Sequence, residues 1–85
     1  ASVNLVKIFP NPAKEKLTIL FSSLQSYSLL YTITDVTGKV CMENKQVVSR
    51  GSHVITANLS GIPAGVYFVR LNFGDDILVR KINIQ

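Results

Sequence analysis

The sequence is poor in the residues from which catalytic centres and metal sites are built. It has one histidine, His53, and one cysteine, Cys41. A single cysteine excludes an internal disulfide, and one Cys with one His cannot complete a four-ligand Cys/His zinc site. There is no tryptophan and there are three tyrosines, which leaves little for the exposed aromatic platform of a sugar-binding surface. The acids are Glu15, Asp35, Glu43, Asp75 and Asp76. The one adjacent pair, Asp75-Asp76, offers too few oxygens for calcium, which wants about six, so it reads as a turn. No apolar run approaches the ~20 residues of a membrane helix. Phosphate-binding loops, dinucleotide fingerprints and zinc motifs are all missing. Ala1-Ser2-Val3-Asn4 shows neither an initiator methionine nor a signal-peptide pattern, so the chain reads as a piece cut from a longer protein.

What is present is a collapsing β chain. Its 85 residues suffice for one small domain and not for two independent cores. A hydrophobic share of 47 % against a charged share of 16 % argues against disorder. Nine Lys+Arg against five Asp+Glu give a net charge of +4. That favours acidic surfaces but falls short of a dedicated nucleic-acid binder.

No stretch keeps a 3.6-residue period over three turns. Instead, β-branched and apolar residues recur in short runs between turn signals. The runs predict seven strands, near Leu5–Phe9, Lys16–Phe21, Leu29–Thr34, Lys39–Val48, His53–Leu59, Val66–Phe73 and Ile77–Ile84. Pro10-Asn11-Pro12 ends the first, because neither proline can donate to a ladder. Asp35-Val36-Thr37-Gly38 reads as a hairpin loop, with Asp35 capping the turn and Gly38 taking φ > 0 at a bulge. Ser49-Arg50-Gly51-Ser52, Ser60–Gly65 and Phe73-Gly74-Asp75-Asp76 supply the other turns. Alternation assigns the buried faces: Leu17, Ile19 and Phe21; Tyr31 and Ile33; Ile55, Ala57 and Leu59; Tyr67, Val69, Leu71 and Phe73; and Leu78, Ile82 and Ile84, with Arg80 among them. Seven short strands with turns roughly every 8–12 residues predict an all-β, immunoglobulin-like antiparallel sandwich. A small, partly open barrel is the competing arrangement.

His53 heads a strand after a polar turn and reads as an exposed imidazole. Cys41, in a strand beside Met42, reads as an inert small apolar side chain. The cations Lys14, Lys16, Lys39, Lys45, Arg70, Arg80 and Lys81 are scattered, as expected for solvated faces and edge protection. Nucleic-acid binding would need aromatics exposed among them, whereas Tyr67, Phe73, Phe21 and Tyr31 fall on buried stripes. The chain ends inside its last strand, Arg80-Lys81-Ile82-Asn83-Ile84-Gln85. Such a strand can pack one face on the core and offer a free edge, either to another protein's sheet or to a second copy as an edge-strand dimer.

Four blocks carry a family resemblance. They are Ile8-Phe9-Pro10-Asn11-Pro12-Ala13 with Leu17-Thr18-Ile19; Tyr31–Val40 with its D-x-x-G-K turn; Leu59–Val69, similar to L-x-x-L-P-x-G-x-Y-x-V with Ile62 in place of the second leucine; and Lys81-Ile82-Asn83-Ile84. In this order they resemble type A C-terminal sorting domains of the type IX (Por) secretion system, over residues 5–85. The resemblance implies a seven-stranded, non-catalytic sandwich without cofactor or metal, carried at the end of a secreted precursor. It implies passage through the periplasm, then recognition by the outer-membrane translocon. Removal by a sortase-like cysteine peptidase follows, with anionic lipopolysaccharide attached to the cargo and not bound by the domain. The cleavage site would lie near Ala1–Asn4. Gly65 and Tyr67 match the third block, and Lys81, Ile82, Asn83, Ile84 and Gln85 match the terminal block the machinery reads. Many members finish on a basic residue where this chain has Gln85, which shifts weight to Lys81 and the strand edge. Pro10, Asn11, Pro12, Asp35 and Gly38 are the structural motif residues. The alternative is a carbohydrate-binding or adhesion sandwich appended to a secreted enzyme.

Overall fold

The computed structural model describes residues 3–74 and 76–85, with side chains from residue 6 onward. The Asp75 half of the acidic pair and the first two residues of the expected cleavage remnant lie outside the described residues. Seven strands follow one another: β1 (Val3–Phe9), β2 (Lys16–Ser23), β3 (Tyr27–Asp35), β4 (Val40–Val48), β5 (Gly51–Asn58), β6 (Gly65–Phe73) and β7 (Asp76–Ile84). The largest boundary shifts from the sequence reading are two residues, at β1, β2, β3 and β5. Lys39, expected to open the fourth strand, belongs to the preceding turn.

The strands form two antiparallel sheets, β1-β2-β5 and β4-β3-β6-β7. This is an immunoglobulin-like sandwich in which the fourth strand lies beside the third. The alternation of side chains decides what each sheet buries. Leu17, Ile19 and Phe21 of β2 face Leu29, Tyr31 and Ile33 of β3 and Val69, Leu71 and Phe73 of β6, all buried. The Phe21 and Phe73 rings meet edge to face, 5.3 Å between centroids, across the two sheets. A surface of 5154 Å² is close to the roughly 5,000 Å² of a compact chain of this mass, so the core is closed despite its size.

The two sheets are not continuous with each other, which rules out the barrel. Beside β7 they touch through one parallel bridge, Ala13 to Ile84. On the other flank the chain passes from β4 to β5 through Ser49 and Arg50. There β4 overhangs the smaller sheet: its inward positions Asn44 and Gln46 are exposed, and only Val48 is buried.

Candidate functional site at one end of the sandwich

The topology gathers at one end what the sequence spreads over the whole chain. β1 ends there, β2 starts there, and β5 ends where the Leu59–Gly65 segment feeds β6. The β3–β4 turn and the last residues of β7 lie at the same end, since Lys16 pairs with Asn58, Asp35 with Tyr67, and Gly65 with Ile84. All four sequence blocks therefore meet.

The first and last blocks are bonded directly. The Asn83 N–H donates to Asn11 Oδ1 at 2.9 Å, the Ala13 N–H to the Asn83 carbonyl at 2.8 Å, and the Gln85 N–H to the Ala13 carbonyl at 2.7 Å. Ala13 is fully buried beneath this clasp. The prolines explain its chemistry. Pro10 and Pro12 have no N–H, so the loop meets the strand through one side-chain oxygen and the backbone of Ala13. Pro10-Asn11-Pro12 ends β1, as its prolines predict, and Asn11 has in addition this bonding role, which the strand-ending turn does not imply. Nothing local signals it, because donor and acceptor are 72 residues apart.

The clasp also corrects the expectation of a free terminal edge. The outward groups of β7 belong to alternate residues. Those of Asn83 and Gln85 are occupied, leaving Ile77, Val79 and Lys81 with outward main-chain groups. Ile82 and Ile84 are buried in the core, while Lys81, Asn83 and Gln85 are exposed. Beside the clasp, Pro10, Pro12, Lys14, Glu15, Lys16, Thr18 and Gln85 line an open groove of ≈ 480 Å³.

The third block forms a corner. The Tyr67 hydroxyl donates to the Pro63 carbonyl at 2.6 Å, pinning the segment that enters β6 while the ring stays buried. A tyrosine bonding back across this corner is a recurrent device of the fold. Burial pushes the Tyr67 pKa up, with Cys41 and Asp35 adding to the shift. Gly65 has φ +157, and a methyl added there would sit 3.6 Å from the Tyr67 ring. Space is adequate; the backbone angle is what asks for glycine.

The second block is the hairpin turn. Asp35 Oδ1 accepts from the Thr37 N–H at 2.9 Å, the Thr37 hydroxyl at 2.6 Å and the Lys39 N–H at 3.0 Å. The Thr37 hydroxyl bond is the main reason the Asp35 pKa is lowered. Partial desolvation opposes it, and the Lys39 and Thr37 amides and the Lys39 charge reinforce it. Gly38 takes φ +90, and the register slips between Ile33 and Thr34, where Cys41 is the extra residue.

Neither chemically reactive residue has the surroundings expected of it, and Cys41 lies at this end. Cys41 is exposed at the bulge, not a packed apolar group, because the inserted residue cannot follow the strand's alternation. His53 lies towards the far end. It is half-buried rather than exposed, stacked on Phe21 at 5.4 Å with Nε2 2.6 Å from the Ser49 carbonyl. Among the described residues no three of His, Cys, Asp and Glu cluster closely enough to hold a metal ion.

Fold and site together place the chain among immunoglobulin-like β-sandwiches. Two solved structures share that fold: β-glucosidase from Listeria innocua in complex with glucose (TM-score 0.55, 11 % identity, 96 % of this chain) and a mutant of it with laminaribiose (0.54, 13 %, 98 %). The chain spans 16 % of the length of either, and at such identities the likeness concerns the fold alone. No curated protein matches. A family model described as a secretion system C-terminal sorting domain matches residues 7–85. The chain belongs to this family, the C-terminal sorting domains of the type IX secretion system.

Proposed function

We propose that the end of the sandwich where the four blocks meet is the address itself. In this reading the domain, residues 1–85, closes a longer secreted precursor. It carries that precursor from the periplasm to the outer-membrane translocon and is then removed by a sortase-like cysteine peptidase, performing no chemistry of its own. The carrying observation is the clasp. It fixes Lys81–Gln85 against both β6 and the Pro10–Ala13 loop, so Lys81, Asn83 and Gln85 are offered in one rigid geometry. Main-chain edges give affinity and alternate side chains give selection in recognition of this kind. Gly65 and Tyr67, paired with Ile84 and Ile82, shape the strand from beneath. The sugar-binding alternative lacks support: Phe9 is the exposed aromatic among the described residues, and the groove beside the clasp has no aromatic ring in its lining.

The test is a reporter with a periplasmic signal peptide fused ahead of the domain. Deleting Lys81–Gln85 also removes the buried Ile82 and Ile84, so it is paired with the surface variant Lys81→Glu/Gln85→Glu, which leaves the core intact. Both should hold the reporter in the periplasm. Surface display at the intact level by both variants would overturn the reading.

A further inference from the structure

We infer that β4 is a self-association edge, pairing antiparallel with β4 of a second copy about a two-fold axis at Asn44. Among the four edge strands, β1 and β5 carry no acidic residue, and the outward groups of Asn83 and Gln85 on β7 are already taken by the clasp. β4 is different. It contains neither glycine nor proline, every residue from Val40 to Val47 is at least partly exposed, and β3 is its one strand neighbour.

The ladders fix which of its groups are open. The β7 groups of Asn83 face outward, so alternation carried through β6 and β3 turns the main chain of Met42, Asn44, Gln46 and Val48 towards β3. That of Glu43, Lys45 and Val47 turns to solvent. A two-fold antiparallel pair joins outward residues to outward residues, so its centre falls on a residue, and the registers that keep most of Val40–Val48 paired are centred at 43, 44 or 45. Centred at 43 it opposes Glu43 to Glu43, and centred at 45 it opposes Lys45 to Lys45. Centred at Asn44 it sets Glu43 against Lys45 of the second copy, twice, on the same face. Directly opposed unlike charges stabilise a strand pair and like charges destabilise it, so the pattern selects one register. The result is a continuous eight-stranded sheet. It lies on the flank opposite β7, so both terminal strands stay open.

Sedimentation equilibrium of the 85-residue chain up to millimolar concentration tests this. The wild type should show a weak, concentration-dependent dimer. Glu43→Lys should weaken it by about tenfold or more, and Glu43→Lys/Lys45→Glu should restore it, since the opposition is then only reversed. Both positions are exposed, so circular dichroism should be unchanged. Asn44→Cys in a Cys41→Ser background should oxidise to a covalent dimer, because directly opposed residues at such a site bring their Cα atoms within disulfide range. A monomer at every concentration would overturn the inference. So would a dimer indifferent to Glu43→Lys, or one abolished instead by Val79→Pro, which blocks the outward edge of β7.

Discussion

At the residue scale, the site is made by side chains that bond to backbone. Asn11 is the clearest case. Asn11→Ala removes the acceptor of the Asn83 N–H and should cost about 1 kcal/mol. Hydrogen exchange at the Asn83 amide should accelerate, while amides bonded between β6 and β7 keep their protection. Unchanged exchange at Asn83 would mean the clasp does not hold in solution. Asp35 makes a pH-dependent contribution. Its folded pKa is depressed, so its stabilisation is full above the unfolded value of about 4 and is lost as pH falls through the lower folded value. The melting-temperature gap between wild type and Asp35→Asn should therefore be constant near neutrality and shrink below about pH 4. A gap that persisted in strong acid would contradict the assignment. Tyr31 and Tyr67, both raised by burial, act at the other extreme. Their contribution is complete below about pH 10 and lost above it. Gly65→Ala forces an alanine into φ +157 and should destabilise by roughly 1 kcal/mol or more. Denaturant unfolding reads this as a lower midpoint at unchanged slope.

At the scale of elements, β7 combines two jobs by face. Ile82 and Ile84 pack inward, and Lys81, Asn83 and Gln85 look outward. Period-two alternation makes that division readable from sequence, as it does the Tyr67–Phe73 stripe, the strand count and the Asp35–Gly38 turn. Each of these depends on residues within a few positions of one another. What could not be read depends on distance along the chain. The bond from Asn83 to Asn11 spans nearly the whole sequence. The exposure of Cys41 follows from a bulge that β3 imposes, and the half-burial of His53 follows from Phe21 on another strand. The overhang of β4 was also hidden, because its inward Asn44 and Gln46 look like ordinary polar strand residues until the narrower opposing sheet leaves them uncovered. The family blocks, by contrast, were visible one at a time; their meeting at one end is a property of the topology.

At the scale of the molecule, a core of two small sheets must hold that end rigid. Leu71, fully buried between β3 and β7, is the natural probe of the core. Leu71→Ala should cost about 2–5 kcal/mol, a large part of the roughly 4–13 kcal/mol such a chain possesses. Loss of export by that variant would therefore follow from unfolding and would not identify the address. The decisive variant spares the core and breaks only the Asn11 bond of the clasp. Asn83→Pro removes an outward N–H that β6 does not use, and so parts the terminal strand from Asn11 within a folded domain. Surface display of a periplasmic reporter carrying Asn83→Pro is the most direct measurement. Retention in the periplasm, with a native circular dichroism spectrum and a cooperative melt, is the predicted result. Display equal to that of the unaltered domain would contradict the claim that the clasped end is what the machinery reads.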